Sequence, residues 1–208
     1  MLNKKDWFKL KKYPHIGKRL KENERFTWIE EYIKNTESIK KHSFLPLIHR
    51  TSKVRKFRKE YSKDDGTLIK KKNNKNRISQ GPKKREIYYA SHLDSLIYSY
   101  YSSLVYTEYE KSLEDYNLKD VVTAYRSIPK NIENPESSNK CNIDFANDVF
   151  NYIRNYNSEE FCAITFDISS FFDELDHSIL LSQLIELVGV NGKLTGDYFN
   201  IYKNITRY

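Results

Sequence analysis

Cysteine is scarce in this chain. Its 208 residues include two, Cys141 and Cys162, too few for a disulfide framework or a zinc ligand set. Cys162 lies inside the apolar run Phe161-Cys162-Ala163-Ile164-Thr165-Phe166 and reads as a small core residue. No apolar stretch reaches membrane-spanning length, and the start Met-Leu-Asn-Lys-Lys-Asp lacks the apolar core of a signal peptide. Internal repeats are absent as well. The reading that remains is a protein of the reducing cytoplasm, long enough to bury the core of one domain with a small second lobe.

Charge is what the chain has in excess, and it is unevenly placed. Lys and Arg total 36 against 28 acids, a net +8 with a pI near 9.2, which favours acidic partners. Between Arg50 and Arg85 there are fifteen basic residues and three acids, a local +12, so the remainder of the chain sums to −4. The block holds Lys70-Lys71-Lys72, Lys75, Arg77 and Lys83-Lys84-Arg85. Neutralising phosphates releases counterions and gives sequence-independent affinity, so such a block suits a nucleic-acid surface. Charge alone equally describes a solvated loop.

Residues 161–166 are apolar or β-branched, a pattern that needs both faces covered, and they lead directly into Asp167. The pattern predicts a buried strand ending in a carboxylate, with Asp167 where a sheet strand meets its active-site end. The string that follows is Asp167-Ile168-Ser169-Ser170-Phe171-Phe172-Asp173-Glu174-Leu175-Asp176-His177. It closely resembles the first catalytic motif of reverse transcriptases, particularly those of group II introns, retrons and bacterial antiphage and abortive-infection systems. The resemblance implies an RNA-directed DNA polymerase with a right-hand palm. Asp167 would be its catalytic residue and would bridge two Mg²⁺ ions about 3.5–4 Å apart, with the backbone carbonyl of Ile168 as a further oxygen ligand. Phe172 would pack under the sugar of the incoming deoxynucleoside triphosphate and exclude a ribose 2′-hydroxyl. The alternative is that Asp167 caps a helix while Phe171 and Phe172 fill a core. Asp176 opens a helical pattern through Ile179, Leu180, Gln183, Leu184, Leu187 and Val188, where it fits the N-cap and Gly189 the C-terminal cap. Structural duty is the expectation for Asp176, and for His177 a surface or helix-start hydrogen bond.

The upstream segments supply the order of the same family. Lys83-Lys84-Arg85-Glu86-Ile87 fits the Lys-x-Arg-x-Ile pattern of the fingers hairpin, which assigns Arg85 to the triphosphate. Arg suits that task because its planar fork binds phosphate oxygens in a bidentate way. Ser79-Gln80-Gly81-Pro82 has the composition of a turn between two strands, which would place Arg77 and Lys83 on opposite arms; both are nucleotide-binding candidates. Ser91-His92-Leu93-Asp94 reads as a capping box opening a long helix to about Leu113. The tyrosines of that helix, Tyr98, Tyr100, Tyr101, Tyr106 and Tyr109, suit either base stacking or core packing. Val121-Val122-Thr123-Ala124-Tyr125-Arg126 resembles the family's approach to the template channel. By that resemblance Arg126 joins Lys70, Lys71, Lys72, Lys75 and Lys84 as nucleic-acid contacts. A loop over 129–140 and a second amphipathic helix over 142–156 follow, with Ile143, Ala146, Val149, Phe150 and Ile153 on one side.

The fold class expected is α+β: a helix-rich fingers region with a basic β-hairpin, leading into the first strand and helix of a palm. Residues 1–44 form a Lys-rich helical leader with Trp7, Phe8, Phe26, Trp28, Ile29, Tyr32 and Ile33 at packing positions; 45–160 form the fingers-like region and 161–208 a partial palm. The family's Tyr-x-Asp-Asp turn and its downstream Ser-Gln-Gly segment are missing. Asp64-Asp65 stands upstream of Asp167, with one residue too many after Tyr61. The expectation is therefore the N-terminal portion of a defence-type reverse transcriptase, inactive alone. Its partners would be an RNA template, an RNA–DNA duplex and a downstream polymerase fragment. The rivals are an inactive RNA-binding module and an RNA polymerase or template-independent nucleotidyltransferase of the palm type.

Overall fold

A computed structural model describes residues 6–59, 66, 77–131, 133–134, 138–157, 160–168, 171 and 174–206, with the backbone alone described at 54–59, 77–81 and 83. Among the described residues, helices and one two-stranded antiparallel sheet give an α+β architecture. After a 3-10 turn at Glu22–Glu24 and a π turn at Arg25–Ile29 come α1 (Glu30–Lys34) and α2 (Thr36–Lys40). Strands β1 (Ile48–Lys59) and β2 (Arg77–Tyr89) lead into α3 (His92–Asp115), followed by α4 (Asn142–Arg154), α5 (His177–Val188) and α6 (Gly196–Thr206).

The core lies where the first forty residues meet α3 and α6. Ile29, Ile33, Ile39, Leu96 and Ile97 are fully buried, with Phe8, Leu20, Tyr101 and Ile201 nearly so. Apolar spacing on α3 selects this face, and the stripe of tyrosines belongs largely to it. Tyr98 stacks on Phe44 at 5.1 Å, Tyr100 meets Trp7 edge-on at 5.2 Å, and the buried Tyr101 hydroxyl donates to Asp197 at 2.6 Å. Burial pushes the Tyr98 and Tyr101 hydroxyls far above the usual phenol range, and Tyr198 up to about 12. Phe26, expected to pack, is instead 81% exposed, with the Arg25 guanidinium 5.0 Å from its ring. The neighbouring Ile29 and Ile33 take the inward positions.

Hydrogen bonds, most of them partly buried, fix the hairpin's base to this core. Ser91 caps α3 by accepting the Asp94 N–H at 3.1 Å. Asp94 is 2% exposed and accepts from His42 Nε2 at 2.8 Å and from the Leu45 N–H at 3.0 Å. His42 Nδ1 in turn accepts the Tyr32 hydroxyl at 2.8 Å. On the other arm, the Tyr13 hydroxyl donates to the Ala90 carbonyl and His92 Nε2 donates to the Tyr13 carbonyl, each at 2.9 Å. A two-stranded ribbon is marginal by itself, so these ties supply its direction.

Three expectations are corrected. The strand expected over 161–166 does not form: the segment lies outside any strand, with Phe161, Ile164 and Phe166 exposed at 53%, 67% and 91%. A strand needs a neighbour for its N–H and C=O groups, and none of the described residues pairs with this one. Cys162, read as core, is exposed for the same reason. The turn at Ser79-Gln80-Gly81-Pro82 is instead part of β2, so Arg77 and Lys83 share one strand. Val54 pairs with Lys83 and Lys56 with Gln80, so Gly81 and Pro82 occupy a bulge where proline's missing N–H costs no ladder bond.

Helix α5 follows its sequence closely. The Asp176 carboxylate accepts the Ser178 N–H at 2.7 Å, the Ser178 hydroxyl at 2.6 Å and the Ile179 N–H at 3.2 Å. These bonds, the Ser178 hydroxyl first, hold the Asp176 pKa below the usual carboxylate range. Gly189 ends the helix with its N–H on the Ile185 carbonyl at 2.8 Å, and a Cβ there would lie 2.3 Å from that oxygen. Helix α4 is capped by Asp144, which accepts the Cys141 N–H at 2.7 Å; this and the Cys141 and Lys130 side chains bring its pKa down to about 2. Its apolar side stays uncovered, with Ile143, Val149 and Phe150 at 79%, 59% and 61% exposure.

Candidate nucleic-acid interface

Register sorts the hairpin's side chains. Ser52 faces Arg85, Arg50 faces Ile87 and Ile48 faces Tyr89. Side chains alternate along a strand, so Arg50 and Arg85 share one face with Ile48, Ile87 and Tyr89. They are diagonal neighbours, a relation that sets residues roughly 7–8 Å apart. The opposite face carries His49, Thr51, Lys53, Lys84, Glu86 and Tyr88. There Glu86 accepts from His49 Nε2 and from the Thr51 hydroxyl, the latter at 2.7 Å, and the Thr51 bond leads in holding its pKa below the usual range.

Glu86 is thus engaged on the face opposite the two guanidiniums. Arg50, Lys53, Lys84 and Arg85 are exposed and form no ion pair with any described acid. Lys53 and Lys84 sit directly opposite each other, an arrangement that is unfavourable without an anion to share. Two free guanidiniums on one face and two ammoniums on the other suit phosphate groups.

Arg50 escaped the sequence reading as a site residue, although it opens the basic block. The signal is visible only in the register that sets it diagonal to Arg85. Lys83 lies opposite Val54 and Arg77 opposite Lys59. Lys70, Lys71, Lys72, Lys75 and Phe172 fall outside the described residues.

Arg126, expected at nucleic acid, is turned inward. Its side chain is 7% exposed and that of Glu110 8%. Nε and Nη2 donate to the two Glu110 oxygens at 2.8 and 2.9 Å, while Nη1 donates to the carbonyls of Lys119 (2.6 Å) and Val122. The bidentate bond with Arg126 holds the Glu110 pKa down. With these donors taken, the guanidinium has an architectural role: it folds the 118–127 segment onto α3.

Asp167 is exposed, and the described residues contain no cluster of three or more His, Cys, Asp or Glu able to hold a metal ion. One carboxylate and the Ile168 carbonyl are too few oxygen ligands for a two-Mg²⁺ site, so this donor set does not fit the ions. Among the described residues no helix is long and apolar enough to cross a membrane. Compared with models of known protein families the chain matches none, and it has no significant match among curated proteins.

Proposed function

We propose that the chain is the N-terminal, nucleic-acid-facing part of a bacterial reverse transcriptase of the antiphage-defence type, acting in the cytoplasm. The observation that carries this reading is the hairpin face on which Arg85, from the Lys-x-Arg-x-Ile pattern, lies exposed beside Arg50. In this reading the two guanidiniums receive the triphosphate of an incoming deoxynucleoside triphosphate. Lys53, Lys84 and the lysines of 70–75 follow the backbone of an RNA template and its RNA–DNA duplex. Asp167 is the catalytic carboxylate of a site completed by carboxylates from a downstream polymerase segment. Support comes from the apolar surface at Ile164, Phe166 and Ile168, since a palm sheet completed there, with its packed layer, would cover it. The sparse donor set that the described residues place around Asp167 favours a second reading, an inactive RNA-binding module.

The test is affinity. A labelled RNA–DNA duplex titrated at several salt concentrations is expected to bind with a steep salt dependence, losing close to one power of salt per phosphate neutralised. Reversing Lys70, Lys71, Lys72, Lys83 and Lys84 to Glu is expected to weaken binding and flatten the slope. Unchanged affinity and slope would remove the basic hairpin from the interface. In an active form with the further palm elements present, Phe172→Ala is expected to raise ribonucleotide over deoxynucleotide incorporation. Equal discrimination by parent and variant would reduce that ring to packing.

A further inference from the structure

Three non-glycine residues among those described have positive φ: Asn117 at 55°, Tyr125 at 59° and Asn191 at 51°. Asn tolerates the left-handed region because its short side chain bonds locally, whereas a bulky residue there is strained. Tyr125 is also 88% exposed, and among the described residues no ring contact or hydrogen bond holds its side chain. Its own side chain therefore offsets nothing of the strain. The neighbours supply the constraint: Arg126 is locked by its bonds to Glu110, Lys119 and Val122, and the Ser127 N–H donates to the Tyr106 hydroxyl at 3.1 Å.

The result is an aromatic ring held out in solvent on a backbone anchored from the following two residues. Phe26, comparably exposed, has its ring covered by Arg25. Strain that the surroundings impose on an exposed side chain points to use at a surface.

We propose that Tyr125, carried on this anchored backbone, is a stacking platform for an unpaired base of the RNA strand that the basic hairpin attracts. The inference rests on the RNA-binding reading for its occupant. Stacking suits this position because every base has a face for a ring and the contact is indifferent to sequence. A ring carried on a backbone that is already set loses less freedom on binding than one on a mobile loop would. The net charge of +12 over residues 50–85 supplies the attraction to a polyanion that a lone tyrosine lacks.

Two probes of equal length test this: a labelled oligouridylate, and an abasic oligomer with the same phosphates. Tyr125→Ala is expected to weaken oligouridylate binding by about five-fold or more, with the salt slope and the abasic affinity unchanged. Tyr125→Phe is expected to bind as the parent does. Tyr125→Gly, which relieves the strain, is expected to lose oligouridylate affinity without a fall in Tm, separating lost stacking from lost folding. Parent-like oligouridylate binding by Tyr125→Ala, or equal weakening toward both probes, would overturn the platform and leave the RNA reading standing. If the parent binds neither probe at any salt concentration, the RNA reading fails and the platform with it. A parent that binds both probes equally well overturns the platform alone.

Discussion

Arg126→Ala is expected to cost the chain about 3–5 kcal/mol of stability, because it strands the Glu110 carboxylate in a buried site with its main partner gone. Both side chains are under a tenth exposed, so solvent replaces little of the lost interaction. For a chain of this size the change corresponds to a fall in Tm of roughly 6–20 °C. The sign of the pH dependence follows from Glu110. Its folded pKa is depressed by Arg126, so the pair's contribution is fully present above the unfolded carboxylate pKa and fades as pH falls through the folded value. In the variant burial disfavours the unpaired carboxylate, and acid relieves it by protonation. The stability gap between parent and variant should therefore narrow from pH 7 toward acid. Replacing both partners with apolar residues of similar volume should recover the part of the loss that comes from the stranded carboxylate, while the Lys119 and Val122 carbonyls still lack the guanidinium. Thermal melts of the parent, the single variant and the double variant across pH check this; a gap below about 1 kcal/mol, or one indifferent to pH, would sink it.

The parts of this fold that announce themselves in sequence are those whose hydrogen bonds are local. Ser91 capping α3 and Asp176 capping α5 were legible because the partner N–H groups lie two or three residues away. The tyrosine stripe left a choice between core and stacking that the partners Phe44, Trp7 and Asp197 decide for Tyr98, Tyr100 and Tyr101. Residues 161–166 have the composition of a buried strand, but a strand is completed by a neighbour the composition does not supply. Gly81-Pro82 illustrates the same limit, since the dipeptide serves a turn or a bulge and the opposing strand selects between them. Arg126 and Glu110 are sixteen residues apart, and no local pattern ties them. The site is legible as a list of residue types, while the grouping of Arg50 with Arg85 is a property of register.

Templated DNA synthesis is expected to be absent from the purified chain and to appear when a downstream fragment carrying a Tyr-x-Asp-Asp turn is supplied. In-line phosphoryl transfer between two metal ions requires enough carboxylates to hold both charges at close range. Asp167 and the Ile168 carbonyl would offer one carboxylate and one carbonyl, and the described residues add no cluster to them. The apolar residues that precede Asp167 are exposed, so its position is not fixed by burial. A fragment that pairs with residues 161–166 and packs on their apolar face would do two things together: cover Ile164 and Phe166, and set Asp167 at the end of an ordered strand. Both effects have separate readouts. Primer extension follows the chemistry, and Asp167→Ala should reduce it to background in the reconstituted pair while leaving fragment binding intact. Hydrogen exchange follows the order, and amides of 161–166 should gain protection only when the fragment is present. Robust synthesis by the chain alone, abolished by Asp167→Ala, would require a second acidic cluster within the chain and would refute the split active site. Binding without synthesis would move the conclusion to the RNA-binding module, in which the hairpin and its arginines are used and Asp167 is not.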